Sequence, residues 1–555
     1  MPRRIIHTLF LCLLTISISA QPKWAKKTRK AQVNLITYDA TGKLLHSTNG
    51  FIMDADGTTL SDYHSFRGAA RAVAIDDGGR EWPVIAIAGA NSLCDVVKVK
   101  VAIPNIKPSP LATADEPLGS KAYILPYLSN KANKVSETTI TNVSKFRDTY
   151  AYYTLPLQPS EKSESCPVMN ERGELLGLLQ LAANENDKNC YVLSATYAKS
   201  LATTALSATA SDYRDILIKK ELPADASQAN SFIYLTGTRD TALYLSYVED
   251  FIHAFPTDAN GYTMKAEFLC TQGRFSAADS CWDAGLQAQA QEDAIRYSRA
   301  QAVFQIAQSK QELPEFWTIE RALQEIDAAI AVEQLPVYFS LRAKLLYALK
   351  RYEDACQQFL QVNETNLRSA DYFLYAAQCQ LMLRDTTAVL ALQDSAVACF
   401  TKPYMENAAP ALLMRATTLV KVGRYRDAVR DLNDYEHLKS KELTANFYYQ
   451  REQTELQCRM YQQALNDIET AVRMEPREPL YHAELASVNY RIGQIDEAVA
   501  AARQAVAIDD QFADAYRILG VCLRSQGKEQ DACAAFQRAI DLGDEMSKKL
   551  IDKKP

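Results

Sequence analysis

Ala515–Ile540 reads AYRILGVCLRSQGKEQDACAAFQRAI, and this stretch decides the architecture of the C-terminal half. Apolar or small residues recur at helical spacing, Gly527 interrupts the run, and a second run opens around Ala532. Two amphipathic helices joined by a tight turn give that pattern. The segment LYHAELASVNYRIGQIDEAVAAARQAV from Leu480 repeats it. Small residues at Ala486, Ala498, Gly520 and Ala532 let the paired helices approach closely, while Leu485, Val499, Leu519 and Phe536 supply the ridge to be buried.

Working outward, the alanine that opens the second helix recurs at Ala242, Ala278, Ala322, Ala355, Ala388, Ala428, Ala464, Ala498 and Ala532. The last two steps are 34 residues and the step from Ala355 is 33, whereas the steps around Ala322 and Ala428 are longer and read as loop insertions or irregular helices. This unit resembles the tetratricopeptide repeat, whose period is about 34 residues. The resemblance implies an α-helical solenoid of eight or nine repeats over residues 231–555, with first helices lining a curved inner surface that takes an extended protein or peptide. By the register of the repeat, Asn446, Tyr449, Gln453, Ser487, Tyr490, Arg517, Val521 and Arg524 face that groove. Its tyrosines and arginines offer contact area and directed hydrogen bonds, although each is equally well an ordinary solvated residue of a helix face. The clustered Lys/Asn pattern of repeats that clamp a C-terminal carboxylate is not evident.

Residues 21–205 change character. The runs VNLITY, GFIMDADG, AVAIDD, PVIAIA, DVVKVKV, KAYILPY and ELLGLLQLA are short, rich in β-branched and aromatic residues, and separated by Gly, Asn, Asp and Pro. They read as strands of an all-β domain. The stretch STNGFIMDADGTTLSDYHSFRGA from Ser47, followed by LCDVVKVKV, CPVMNERGELLGL from Cys166 and YVLSATYAKSL, resembles in order the trypsin-like serine peptidases, particularly their exported bacterial branch. The resemblance implies an N-terminal all-β double barrel with His64 at the catalytic histidine and Asp95 at the aspartate.

That chemistry needs a hydroxyl nucleophile, an imidazole to accept its proton and a carboxylate to fix the tautomer. The family's G-x-S-G-G-P falls without gaps on Lys162–Pro167, which puts Glu164 where the serine belongs and Lys162 where the first glycine belongs. A one-residue deletion instead makes Ser165 the nucleophile. Cys166 is a further nucleophile in principle, or a disulfide partner of Cys190. On the bland reading His64 and Asp95 are a hydrogen-bonded pair left in a barrel that no longer cleaves, with Glu164 turned to His64 or to solvent.

Arg3 and Arg4, a short apolar run and small residues ending at Ala20 read as a secretory signal peptide over residues 1–20, so the expected location is periplasmic or secreted. A lipoprotein signal using Cys12 does not fit, because Leu13, Leu14 and Ile16 continue the apolar run past it. Losing Arg3 and Arg4 takes the formal charge from −6 to −8. An acidic chain without a basic cluster argues against a nucleic-acid partner. No later segment is apolar for long enough to span a membrane. Of 12 cysteines, those beyond Cys12 are odd in number, so at least one is free or intermolecular. Cys166 with Cys190, Cys270 with Cys281 and Cys522 with Cys533 are pairs by spacing, against buried thiols as the alternative. No CxxC pair supports zinc and no phosphate loop supports a nucleotide, so neither metal nor cofactor is expected.

Residues 206–230 mix Ala and Ser with a short helix and a proline, and read as a linker with some structure. Two functions stand open. One is an exported interaction scaffold that combines a degenerate peptidase barrel with a peptide-binding repeat groove. The other is an active exported serine endopeptidase using His64, Asp95 and Ser165, whose repeats recruit substrates or regulators.

Overall fold

The computed structural model describes residues 21–104, 106–127, 134–158, 160, 163–182, 186–237, 240–309 and 312–551. The expected signal peptide lies outside them, as does Lys162. Two compact units divide the chain, residues 1–291 and 292–555.

The first unit opens with a short helix α1 (Ala25–Thr28) and then a closed six-stranded barrel of β1 (Gln32–Tyr38), β2 (Leu44–Ile52), β3 (Thr58–Ser61), β4 (Arg71–Ile75), β5 (Glu81–Asn91) and β6 (Val96–Val101). All pairings are antiparallel in the order β1-β2-β3-β6-β5-β4, with β1 returning to β4 to close the ring. Strand alternation explains its inside: Val33 and Leu35 on β1 and Val97, Val99 and Val101 on β6 point one way and are buried. A second, half-barrel sheet follows, formed by β7 (Lys121–Ile124), β8 (Ser136–Thr139), β9 (Asn142–Phe146), β10 (Tyr150–Leu155), β11 (Pro167–Met169), β12 (Leu175–Leu181) and β13 (Cys190–Leu193). Its order is β8-β7-β11-β12-β13-β10-β9. Each of the seven apolar runs noted in the sequence overlaps one of these strands, GFIMDADG only by its first three residues. A third core, containing Phe51, Leu60, Val96, Met169, Leu178 and Tyr197, draws residues from both sheets and from helix α2 (Ala195–Ser200).

The segment expected to be a linker is part of this unit's structure. Tyr213 at helix α3 (Ser211–Arg214), with Ile216 and Ile218, is buried in the core of the first barrel. Residues 219–221 pair with β5, the Ile87 N–H donating to the Lys219 carbonyl at 2.8 Å and the Glu221 N–H to the Ile87 carbonyl at 2.9 Å. Composition could not show this, since Ile216 and Ile218 form only a three-residue apolar run with the exposed Leu217, and Tyr213 stands between Asp212 and Arg214.

Helices α4 (Ala226–Thr236), α5 (Thr241–Ala254), α6 (Ala259–Thr271) and α7 (Phe275–Gln287) complete the first unit. The second holds α8 (Glu292–Gln308), α9 (Ile319–Val332), α10 (Pro336–Ala348), α11 (Tyr352–Asn363), α12 (Ala370–Met382), α13 (Thr386–Val397), α14 (Ala409–Lys421), α15 (Tyr425–Lys439), α16 (Ala445–Gln457), α17 (Tyr461–Met474), α18 (Pro479–Arg491), α19 (Ile495–Ile508), α20 (Ala513–Ser525), α21 (Glu529–Asp541) and a closing helix α22 (Glu545–Ile551). These are the helical hairpins of a tetratricopeptide solenoid. Ala278, Ala322, Ala355, Ala428, Ala464, Ala498 and Ala532 are at most 1% exposed, where a larger side chain would push the partner helix away. Ala242 is exposed and Ala388 half-buried, so the register drifts there and Val389 takes the inward position.

The turns inside the hairpins use the left-handed backbone. Gly493 and Gly527 adopt φ of 82° and 77°, as a helix C-terminus favours. Lys350, Arg384 and Arg459 reach φ of 60°, 64° and 59° without that freedom.

Candidate functional site

The site forms where β3 gives way to a 3-10 turn, His64–Phe66, beside the loop entering β6. Asp95 holds His64 at two points: its Oδ1 accepts the His64 backbone N–H at 2.8 Å and its Oδ2 meets Nδ1 at 2.8 Å. The ring is 45% exposed and Asp95 34%. Asp62, only 3% exposed, lies beneath, its Oδ1 3.4 Å from the same Nδ1. The hydrogen bond to Asp95, assisted by the charges of Asp62, Asp95 and Glu164 and opposed by burial, raises the imidazole to about 9. That shift favours the imidazolium over the neutral ring that a general base requires.

Ser165 sits just before β11 with φ of 58°, a left-handed conformation in a position where the family pattern, aligned without gaps, expects glycine. Its hydroxyl donates to Asp62 Oδ2 at 2.7 Å, and the Thr48 hydroxyl donates to the same oxygen. The Ser65 N–H donates to Asp62 Oδ1 at 3.0 Å. Thus the structure brings Ser165 to the buried side of the site, next to the carboxylate that faces Nδ1. A nucleophile belongs within reach of Nε2 on the opposite edge of the ring. The Ser165 N–H donates to the Leu179 carbonyl at 2.8 Å and the Cys166 N–H to the Ser163 carbonyl at 3.2 Å, so neither is directed at a bound oxyanion.

Glu164 is half-buried, and with Asp95 it borders a cleft of about 490 Å³ whose wall includes the stacked rings of Tyr152 and Tyr191, 5.6 Å apart. Cys166 is 1% exposed, accepts a hydrogen bond from the Asn49 amide at 3.6 Å, and is pushed by burial to about 12, so it stays a thiol. None of the eleven cysteines of the described residues is disulfide-bonded, so Cys166 with Cys190, Cys270 with Cys281 and Cys522 with Cys533 are not pairs. Asp62, His64 and Asp95 also bring donor atoms within 4.8 Å of one another, but the His64 Nδ1 is committed to Asp95.

In the repeats, the residues expected in the groove divide. Asn446 is exposed, and Tyr449 is half-buried with its ring 5.6 Å from that of Tyr481. Gln453 donates to Glu452 at 2.8 Å, and Tyr490 packs against the core formed by α18–α21. Ser487 and Val521 are half-buried. Both arginines are occupied within the chain: Arg517 pairs with Asp514 at 2.6 Å and Asp544 at 2.7 Å, while Arg524 pairs with Glu529 at 2.8 Å and donates to the Leu550 carbonyl at 2.5 Å. They anchor the closing helix. Of the eight residues expected in the groove, Gln453 lines a groove of about 500 Å³ between α14, α15 and α16, together with Leu413, Val420, Phe447, Gln450 and Gln457. Period counting missed these because it registers the buried stripe of a helix and not the exposed one.

Also unforeseen are Glu452 and Glu455 on α16, 0% and 2% exposed, each with one carboxyl oxygen lacking a hydrogen-bond partner. Burial, then Glu484, pushes Glu452 up to about 8; burial, then Asp467, pushes Glu455 up to about 8.

Against known families, residues 48–178 match the trypsin-like peptidase domain and residues 456–511 and 490–546 match the tetratricopeptide repeat. The chain carries a trypsin-like peptidase domain and, C-terminal to it, tetratricopeptide repeats. Among curated proteins it is 35% identical over 82 residues to small glutamine-rich tetratricopeptide repeat-containing protein 2 of Mycosarcoma maydis, covering 15% of this chain and 23% of that protein. It is 34% identical over 82 residues to DnaJ homolog subfamily C member 7 of Homo sapiens, covering 15% and 17%. The chain thus spans less than a quarter of the length of these relatives. Among solved structures, YrrB, a TPR protein with an unusual peptide-binding site, shares 19% identity at a TM-score of 0.30 over 35% of this chain and 98% of its own. The active form of the Rv3671c protease from M. tuberculosis shares 16% at 0.29 over 33% and 86%. No helix among the described residues is long and apolar enough to cross a membrane.

Proposed function

We propose that this protein is an exported interaction scaffold of the cell envelope, in which the peptidase-like domain no longer cleaves and the repeat groove binds a protein or peptide. The observation that carries the reading is the hydrogen bond from Ser165 to Asp62 at 2.7 Å, which commits the hydroxyl to a carboxylate instead of the His64 ring. Glu164 at the serine's place in the gapless reading and the raised proton affinity of His64 support it, since both work against attack and proton abstraction. Export rests on the reading of residues 1–20. The apolar and amide side chains lining the groove at α14–α16 suit an extended segment, with amides to meet its backbone and apolar residues to hold a side chain.

The retained His64–Asp95 pair, 2.8 Å apart, favours the second reading, an active serine endopeptidase. Casein turnover and fluorophosphonate labelling of the wild type, His64→Ala and Ser165→Ala separate the two. The scaffold reading expects neither turnover nor label in any of them. Label on Ser165, lost together with turnover in both variants, sinks it.

A further inference from the structure

Away from the histidine, the first unit contains a crevice of about 750 Å³, within the range of small-molecule sites. It runs between β5, β6, the strand-like segment 219–224 and the end of α5. Four lysines and three carboxylates line it: Lys98, Lys100, Lys219 and Lys220 against Asp56, Glu221 and Asp250. Two of the lysines are paired. Lys100 contacts Asp56 and lies 3.7 Å from Glu221, and Lys219 meets Asp250 at 2.5 Å.

The other two ammonium groups have no carboxylate within ion-pair distance among the described residues. Lys98 donates to the carbonyls of Leu201 and, at 3.4 Å, Lys199. Lys220 donates to the carbonyls of Ile216 and, at 2.8 Å, Ile218. Each ammonium has three N–H groups, so one on each is left beyond these carbonyls. Half-buried cations held only by carbonyl dipoles carry a desolvation cost that a counter-ion would offset. We propose that this crevice binds a small oxyanion-bearing ligand, a phosphate or carboxylate compound, on the ammonium groups of Lys98 and Lys220.

The titration of the two groups agrees with this geometry: burial lowers Lys98, and burial lowers Lys220 to about 8. A bound anion would reverse both shifts. Lys100 and Lys219, already neutralised, would frame the site.

The test is thermal unfolding of the full chain in rising inorganic phosphate, and separately in rising succinate, against chloride at equal ionic strength. A ligand that binds only the folded protein raises the melting temperature saturably. Saturation with phosphate assigns a phosphate compound and saturation with succinate a carboxylate; no saturable rise with either overturns the proposal. Lys98→Met and Lys220→Met should each weaken the apparent affinity at least tenfold, and unchanged affinity in both overturns it as well. Because removing Lys220 also removes its bonds to the 216–218 backbone, the intact protein supplies a second readout. The Cε resonances of Lys98 and Lys220 should move with the anion more than those of surface lysines, and unmoved resonances again overturn the assignment.

Discussion

Asp62 stands between Ser165 and His64: its Oδ2 accepts the serine hydroxyl at 2.7 Å while its Oδ1 lies 3.4 Å from Nδ1. Ser165 is thus a structural donor to a buried carboxylate. Removing one donor from such a group costs about 1–3 kcal/mol. Ser165→Ala is expected to lose that much stability in denaturant melts, with peptide turnover absent from it as from the wild type. A variant as stable as the wild type with turnover abolished would show the hydroxyl to be a nucleophile instead.

The same site makes a pH prediction. The folded His64 value, about 9, exceeds the ordinary 6.5 because Asp95 bonds the protonated ring. A proton held more tightly in the folded state stabilises it fully below about 6.5, and this contribution is lost as pH rises through 9. The His64 resonance should therefore titrate near 9 by NMR, and Asp95→Asn should bring it down by at least one unit. A midpoint near 6.5 in the wild type would remove the argument that His64 cannot serve as a base at neutral pH.

How much of this was legible in the sequence differs from residue to residue. The strands and hairpins were, because burial on one face imposes periods of two and of 3.6 on the choice of residue. His64 and Asp95 fell together because each is tied to a strand end. Ser165 looked like a rescued nucleophile because a sequence pattern records a hydroxyl and not its direction; only the fold shows that Asp62, two residues before His64, captures it. The left-handed turns at Lys350, Arg384 and Arg459 were hidden because tertiary packing imposes there what glycine would announce. Arg517 and Arg524 looked free because their partners, Asp544 just before α22 and Leu550 within it, lie outside the repeat period.

A second pH effect belongs to the repeats. Glu452 and Glu455 on α16 face Glu484 on α18, Asp467 on α17 and Glu436 on α15, and the opposing cation, Arg451, is already paired with Asp467 at 2.6 Å and Glu436 at 2.5 Å. Folded values near 8 against an ordinary 4.5 mean that the folded state holds these protons more tightly. Stability should be greatest below about 4.5 with respect to these groups and fall as pH rises toward 8. Glu452→Gln, which copies the protonated shape, should raise the melting temperature at pH 8 by a few degrees and change it little at pH 5. An equal effect at both values would deny that Glu452 titrates in this range.

The last prediction concerns the contact between Gly520 on α20 and Phe536 on α21. A Cβ at position 520 would stand 2.7 Å from two atoms of the Phe536 ring, and that ring is fully buried with the Arg524 guanidinium 4.8 Å from its centre. The ring cannot swing away without breaking the anchor that Arg524 extends to the carbonyl of Leu550 on α22. Alanine improves helix propensity by roughly 0.5–1 kcal/mol, but overpacking a core costs about 1–3 kcal/mol. The packing term wins, so Gly520→Ala should destabilise the second unit by about 1–2 kcal/mol. Amide hydrogen exchange should locate the loss at α20–α22 and leave the barrel strands unchanged. Protection in α22 equal to that of the wild type would mean that the closing helix does not depend on this contact.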